Sequence, residues 1–492
     1  MSTTERTGQS GPVRPTGPAR PEAELAMRPG RWVENWDAED RHFWETVGRR
    51  TAATNLKWSI LCEFLGFVVW QLWSIVAVFL PQAGFDLTTG QIFLLISMPS
   101  LVGATLRIPY TFMVARFGGR NWTVVSALLL LIPAVGLGLA VSDPTTPFWV
   151  LVALAASAGF GGGNFASSMA NITYFYPARE KGWALGLNAA GGNLGAAVAQ
   201  LLVPIAVTAL AAGALNLPLA GWIWVPFIAF AGLGARQHMH NLSHARGDVS
   251  GALAALREKH LWIIAFLYIG TFGSFIGFSA VFPQLIADTF PEFSSFAVLG
   301  ASLSLAFLGP LVGSLTRPLG GKLADRGGGA RITVAAFAAM AAITIAVVLT
   351  LPLGSFWLFL GLFLLLFTAS GIANGSTYKM IPAVFSLRSV ERAGPAERAS
   401  AHDGGAPAAA ATARAAAASV SPERQASAAL GLVSAIGAYG GFLIPQALGH
   451  SATATGAYTS AFLGFVAAYL LMMGTAWFCY LRPGTVFARQ GV

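Results

Sequence analysis

The sequence predicts an all-α integral membrane protein with twelve transmembrane helices in two pseudo-symmetric six-helix halves. Three observations carry that expectation. The 492 residues are 55% hydrophobic and only 10% charged, with a mean hydropathy of +0.63, whereas a soluble domain carries roughly a quarter charged residues. Apolar runs of about 20 residues, each enough to cross a ~30 Å hydrocarbon core as a helix, recur along the chain. The second half of the sequence also echoes the first. The spans centre near Val69, Gly103, Leu130, Phe160, Ala196, Pro226, Phe275, Gly309, Ala341, Phe367, Gly437 and Leu470.

In chain order, the first ~30 residues are rich in Pro, Gly, Ser and Thr, bury too little apolar surface to fold, and are expected to be disordered. They lack the apolar core and small-residue cleavage site of a secretory signal. The next stretch, RWVENWDAEDRHFWETVGRR, mixes Trp and Phe with charges. It reads either as a strip along the membrane surface or as a solvated lead-in to the first span. Residues 1–54 are thus expected to form a cytoplasmic N-terminal segment and 55–235 the first half. A basic cytoplasmic linker comes next at 236–260, then the second half at 261–481 and a cytoplasmic tail at 482–492. Cys62 and Cys479 both fall in spans, so no disulfide framework is indicated.

The formal net charge is +9, and its placement decides its meaning. Lys and Arg cluster in the N-terminal segment, in ARFGGRNW, in PAREKG, between Arg236 and His260, in GGKLADRGGGAR and after Phe385. The alternate loops QAGFDLTTG, VSDPTTP, AAGALNLPLAG, ADTFPEFSS, LPLGS and HSATATGAY carry none. This positive-inside asymmetry puts both termini in the cytoplasm. The charge reports topology and gives no argument for nucleic-acid binding.

The internal repeat organises the rest. LRIPYTFMVARFGGR from Leu106 corresponds to TRPLGGKLADRGGGAR from Thr316, so Arg107 maps to Arg317 at an offset of 317 − 107 = 210, as Asn164 maps to Asn374. LGLNAAGGNLG from Leu185 matches LGLVSAIGAYGG from Leu430 at 430 − 185 = 245. The difference locates an insertion between Asn374 and Leu430, where the Ala-, Pro- and Ser-rich run at about 386–426 is a low-complexity cytoplasmic loop. Two parallel halves joined by such a linker resemble the major facilitator fold, whose substrate site lies between the halves near the bilayer midplane.

Arg107 lies in the second span and Arg317 in the eighth, each with a Pro close behind and a further arginine, Arg116 or Arg326, toward the span's end. A charge in hydrocarbon costs several kcal/mol unless it meets a partner or water, so such residues mark function by default. Pairing with buried carboxylates is one way out. Yet the spans offer only Glu63, and one carboxylate does not neutralise two guanidiniums. A pseudo-twofold axis sets the arginines opposite each other, and the planar fork of guanidinium suits bidentate binding of a flat oxyanion. The pattern asks for an anion between them. Around Asn164, Asn171, Asn188 and Asn193 the sequence alternates amides with glycines. Those amides need partners when dry, and the glycines let helices approach closely.

NFASSMANI with YFYP after it, LGLNAAGGNLG, TFGSFIGFS and LGLVSAIGAYGGFLIP resemble the motifs of the nitrate/nitrite porter family of the major facilitator superfamily. The resemblance covers all twelve spans, from about Asn55 to Pro483. It implies transport of nitrate or nitrite across a prokaryotic cytoplasmic (inner) membrane, without cofactor, metal or chemical catalysis, by a monomer embedded in the lipid bilayer. By motif position the family's substrate arginines fall on Arg107 and Arg317, its signature asparagine on Asn193, and its pocket aromatics on Phe165, Tyr268 and Phe272. Its two glycine-rich signatures fall on spans five and eleven, with Gly191, Gly192 and Gly195 in one and Gly437, Gly440 and Gly441 in the other. Asn164 is expected beside them as a neutral amide donor. Tyr268 and Phe272, four apart on one helix face, suit a flat trigonal ion. The N-terminal segment and the insertion depart from the compact family pattern.

The expected mechanism is rocking of the two halves around the arginine pair, with nitrate/nitrite exchange as the coupling mode. Proton-coupled symport through Glu63 is the alternative, against a plainer reading of Glu63 as partner to a cation such as Lys379. A membrane nitrate sensor is the reading from another class. Shortening residues 394–421 is expected to leave transport intact, because loop-closure cost changes slowly with length. Nitrate uptake by vesicles checks this: lost transport in a well-folded deletion protein refutes it.

Overall fold

The computed structural model describes residues 24–209, 215–245, 255–298, 301–392 and 422–489. Its helices are α1 Arg41–Phe79, α2 Thr89–Phe117, α3 Gly119–Ala140, α4 Phe148–Phe175, α5 Ala178–Ala209 and α6 Leu219–His238 in one half. The other half holds α7 Lys259–Thr289, α8 Leu308–Gly327, α9 Gly329–Leu353, α10 Phe356–Arg392, α11 Ala429–Thr455 and α12 Thr459–Leu481. Among the described residues, 11 helices are long and apolar enough to cross a membrane. The twelfth, α8, falls short because Arg317, Lys322, Asp325 and Arg326, with several glycines and prolines, share its 20 residues. The chain is a multi-pass membrane protein, and its twelve crossings leave both termini at one end of the bundle.

The repeat is written into the backbone. Gly118 ends α2 at φ 88°, ψ 146°, and its repeat mate Gly328 ends α8 at φ 85°, ψ 134°. Side-chain-bearing residues rarely adopt that conformation, so each glycine lets one helix stop and the next start without a loop. One expected centre is displaced. Gly309 lies at the start of α8, because Phe296–Val298 and Ala301–Leu303 pair as a short antiparallel hairpin, and a 3-10 turn at Leu305–Phe307 precedes the helix. That run is apolar enough to read as membrane helix, but it lies across the end remote from the termini, where Ser302 N donates to Thr208 Oγ1 of α5 at 2.8 Å.

Hydrogen bonds between the halves gather toward that remote end. Gln200 of α5 donates to Ser279 O of α7 at 2.6 Å, and Gln446 of α11 to Ser97 Oγ of α2 at 2.7 Å. Nearer the middle, Thr105 Oγ1 and Tyr439 OH are 2.8 Å apart. Small residues bring the helices this close. A β-carbon on Gly195 of α5 would overlap Phe64 O of α1, and one on its repeat mate Gly440 of α11 would overlap Gly273 of α7.

The segment before α1 differs from both readings of it. Met27–Arg28, Trp32–Val33 and Asn241–Leu242 form a three-stranded sheet that binds the N-terminal segment to the stretch after α6. Trp36 and Trp44 are buried, edge-on to Phe175 and Tyr176 at 5.2 and 5.5 Å. Arg31, at φ 59°, donates to Met239 O and His238 O, capping the end of α6. Its Nη2 also meets His240 Nε2 at 2.7 Å. Burial, with Arg31 and Arg120 beside it, holds the His240 imidazolium down at about 4, so the ring is neutral and accepts. The alternation of aromatics and charges serves a protein surface, with rings inward and charges outward. Helix α1 accordingly starts at Arg41, inside the expected 1–54 segment. The first residues, expected to be disordered, and nearly all of the insertion lie outside the described residues. The insertion's flanks are helical to Arg392 and again from Pro422.

Gly440→Val should lower the thermal stability of the purified protein by about 1–3 kcal/mol, through overpacking at the α7–α11 crossing. Gly361→Ala, where a β-carbon meets nothing within 4 Å, should leave it unchanged. Equal melting temperatures for both variants refute the close-packing account.

Candidate functional site

Arg107 is fully buried and Arg317 is 7% exposed. The guanidinium carbon of Arg107 lies 4.6 Å from the Phe165 ring centre, 4.9 Å from that of Phe272 and 5.4 Å from that of Trp70. That of Arg317 lies 5.8 Å from Phe165 and 5.5 Å from Tyr378. Both charges therefore share the Phe165 ring, and aromatic faces take the place that water would hold. Phe165 comes from α4, just after the run of glycines, Gly159 to Gly163, at which that helix touches α1 and α2. Tyr268 and Phe272 flank the start of a π-turn at Ile269–Gly273 in α7, an irregularity that often marks functional sites. Their rings stack at 5.5 Å and 17°, and Phe272 lies 6.2 Å from Phe165 at 25°.

Part of the Arg107 fork is already committed. Its Nε donates to Gly162 O at 3.1 Å, and its Nη1 to Ser434 O at 3.0 Å and Ser434 Oγ at 2.9 Å, across to α11 of the other half. Arg107 Nη2 and Arg317 Nη1 have no partner among the described residues. Nor do Tyr268 OH or the amide atoms of Asn164 and Asn193. At Arg107 this leaves less than the whole expected fork: in this conformation it offers one terminal nitrogen, because Ser434 holds the other. No ion pair forms at either arginine among the described residues. A buried donor left unmade costs about 1–3 kcal/mol, more when charged.

The expected site residues divide in two. Arg107, Arg317, Phe165, Tyr268 and Phe272 are drawn into one continuous cluster. Asn164 and Asn193 are buried on α4 and α5, and no hydrogen bond ties either to a guanidinium among the described residues. The signature glycines serve as packing surfaces. Gly191 faces Ile60, and Gly441 faces Ser100 and Ile276. The repeat mates Gly192 and Gly437 leave notches filled by Glu63 and by the Tyr268 ring. Glu63 is buried; its Oε2 accepts from Ser168 Oγ and, at 2.7 Å, from Asn188 Nδ2. It does not pair with Lys379, whose Nζ reaches Asp325 of α8 at 2.9 Å on the bundle surface instead. The sequence reading missed Trp70, Tyr378 and Ser434. Ser434 stands inside the glycine-rich motif of span eleven, and Tyr378 is the repeat mate of Ser168. Trp70 carries no signal to set it apart from the other tryptophans.

Twelve helices in two like halves around a buried cationic centre define a polytopic membrane protein of the carrier type. A model of the Major Facilitator Superfamily matches residues 63–401. The chain is 40% identical over 466 residues to the nitrate/nitrite transporter NarU of Escherichia coli (strain K12), covering 92% of this chain and 96% of that protein. It is 35% identical over 483 residues to the probable nitrate/nitrite antiporter NarK2 of Thermus thermophilus, covering 94% and 99%. Among solved structures, a bacterial homologue of the human lysosomal transporter Spinster, inward-facing and unoccupied, superposes with a TM-score of 0.58 at 16% identity, over 87% of this chain and 96% of that one. The nucleoside transporter NupG gives 0.57 at 13%, over 86% and 98%; both likenesses concern the fold. The chain belongs to the Major Facilitator Superfamily and, within it, to the nitrate/nitrite porter family.

Arg107→Lys and Arg317→Lys should each weaken nitrate binding by about 10- to 100-fold, the worth of one or two charge-assisted hydrogen bonds. At Arg107 an ammonium cannot hold Gly162 and Ser434 and still present a free donor. Calorimetric titration of folded protein with sodium nitrate checks this, and near-normal affinity in both variants would sink the paired-arginine site.

Proposed function

We propose that this protein is a secondary transporter of nitrate and nitrite that exchanges one anion for the other by alternating access around Arg107 and Arg317. The observation that carries the reading is the pair of unpartnered guanidinium nitrogens, Arg107 Nη2 and Arg317 Nη1, buried among stacked aromatic faces with the Tyr268 hydroxyl also free. A flat, weakly hydrated monoanion fits the slot and accepts from several donors at once. Phosphate or sulfate brings more charge and a larger dehydration penalty. No bond is made or broken, so the protein is a carrier and not an enzyme. The full-length relatives described as nitrate/nitrite transporters support the substrate class.

Each site residue then has a task. The arginines bind the anion charge, and Phe165, Phe272 and Tyr268 form the walls. Asn164 and Asn193 stand as neutral donors in the adjoining helices. Ser434 holds Arg107 across the interface, so opening that contact and binding the anion compete for the same guanidinium. Exchange follows from the unmade hydrogen bonds: closing the halves on an unoccupied centre leaves desolvated guanidinium donors without acceptors, and a bound anion supplies them. The empty carrier reorients poorly. From the placement of Lys and Arg, the end with both termini faces the cytoplasm of a bacterial inner membrane, and the protein acts as a monomer.

Purified protein in liposomes should take up nitrate when the lumen is loaded with nitrite and much more slowly when it is empty of either anion. Equal uptake with and without internal anion rejects exchange. Saturable binding without any flux favours a sensor.

A further inference from the structure

Among the described residues, Glu63 is an acid buried within the membrane-spanning part of the bundle, and anion binding as described does not use it. Glu63 is 1% exposed and forms no ion pair among the described residues. Only its Oε2 is bonded, by the neutral donors Ser168 and Asn188. Its Oε1 is buried without a partner, as is Asn188 Oδ1 on the amide that binds it. The carboxylate occupies a built place: Gly192 lacks the β-carbon that would overlap Oε1. Ser168, which Glu63 accepts from, lies about one turn beyond Asn164 and Phe165 on α4, and the Phe165 ring lies against both arginines. The charged and titratable groups acting on it are Arg107 from α2, Arg317 from α8 and Tyr378 from α10. From α4 and α5 it meets the neutral Ser168 and Asn188 and the bare notch at Gly192.

From this geometry we propose that Glu63 is a proton-binding site coupled to the anion site, taking up a proton as nitrate or nitrite binds between the arginines. The inference rests on the anion-site reading above. The ionised carboxylate offsets one of the two guanidinium charges when no anion is bound. A bound monoanion takes over that role and repels the carboxylate across a poorly screened interior. The repulsion is relieved when a proton from water forms an O–H bond at Oε1, leaving a neutral acid and hydroxide in bulk solution. The centre then has the same net charge with anion and proton as with neither. Linkage is reciprocal: anion binding raises proton affinity, and acid tightens anion binding by the same factor. Each half-cycle of exchange therefore carries a proton with its anion.

The test is sodium nitrate added to the full-length protein in weakly buffered detergent with a pH indicator, alongside calorimetric affinities over a pH series. The wild type should take up protons as nitrate binds, and its affinity should rise by up to about tenfold for each unit of acidification where a full proton is taken. Glu63→Gln, which mimics the protonated acid, should bind nitrate with the affinity of acidified wild type, without proton uptake and without pH dependence. Nitrate binding by the wild type with no proton uptake at any pH overturns the proposal, whether or not the variant folds. So does uptake that persists in Glu63→Gln. If the wild type binds no nitrate at all, the anion-site reading itself fails, and this inference with it.

Discussion

Two guanidinium charges held in a membrane bundle without carboxylates beside them set the terms for the surrounding structure. Removing an ion of that size from water costs several kcal/mol even after relaxation, and the chain recovers part of it by three means. Rings of Phe165, Phe272, Trp70 and Tyr378 face the charges, each worth about 0.5–2 kcal/mol. The Gly162 carbonyl accepts from Arg107 within its own half. Ser434 accepts from the other half. Arg107 Nη2 and Arg317 Nη1 stay without a hydrogen-bond partner among the described residues, a cost that an acceptor between them would relieve.

The repeat supplies a symmetric scaffold, and the side chains break its symmetry where the chemistry is. Gly195 and Gly440 close the α1–α5 and α7–α11 crossings in the same way. The notches at Gly192 and Gly437, by contrast, receive an acid in one half and a tyrosine in the other. Phe165 serves both arginines, while its repeat mate Gly375 lies bare against the Arg317 carbonyl. Two like rings there would overfill the centre.

The N-terminal segment adds a second kind of constraint. By pairing Trp32–Val33 with Asn241–Leu242 and capping α6 through Arg31, it fixes the first part of the inter-half linker to the first half. Glu180 at the start of α5 accepts from Trp44 and Arg49 in the first turns of α1. The first half and its end of the linker are thus packed together. Trp36 and Trp44 are the anchors, since their rings bury large apolar areas.

Composition and repeat determined the membrane class, the twelve spans, the arginine pair and the place of the insertion, because a bilayer admits only long apolar helices and makes every charge inside them costly. Motif position likewise gathered Phe165, Tyr268 and Phe272, whose four-residue spacing in α7 is a local property. Contacts between distant segments carry no such local signal. Only the tertiary structure decided that Ser434 occupies half of the Arg107 fork, that Trp70 and Tyr378 complete the aromatic wall, and that Lys379 answers Asp325 and leaves Glu63 to Ser168 and Asn188. It also turned an apolar run before α8 into a hairpin and a charged N-terminal stretch into a docked strap. In each case the deciding quantity is which surface another part of the chain presents, and that is set by packing between segments far apart in sequence, not by the residues themselves.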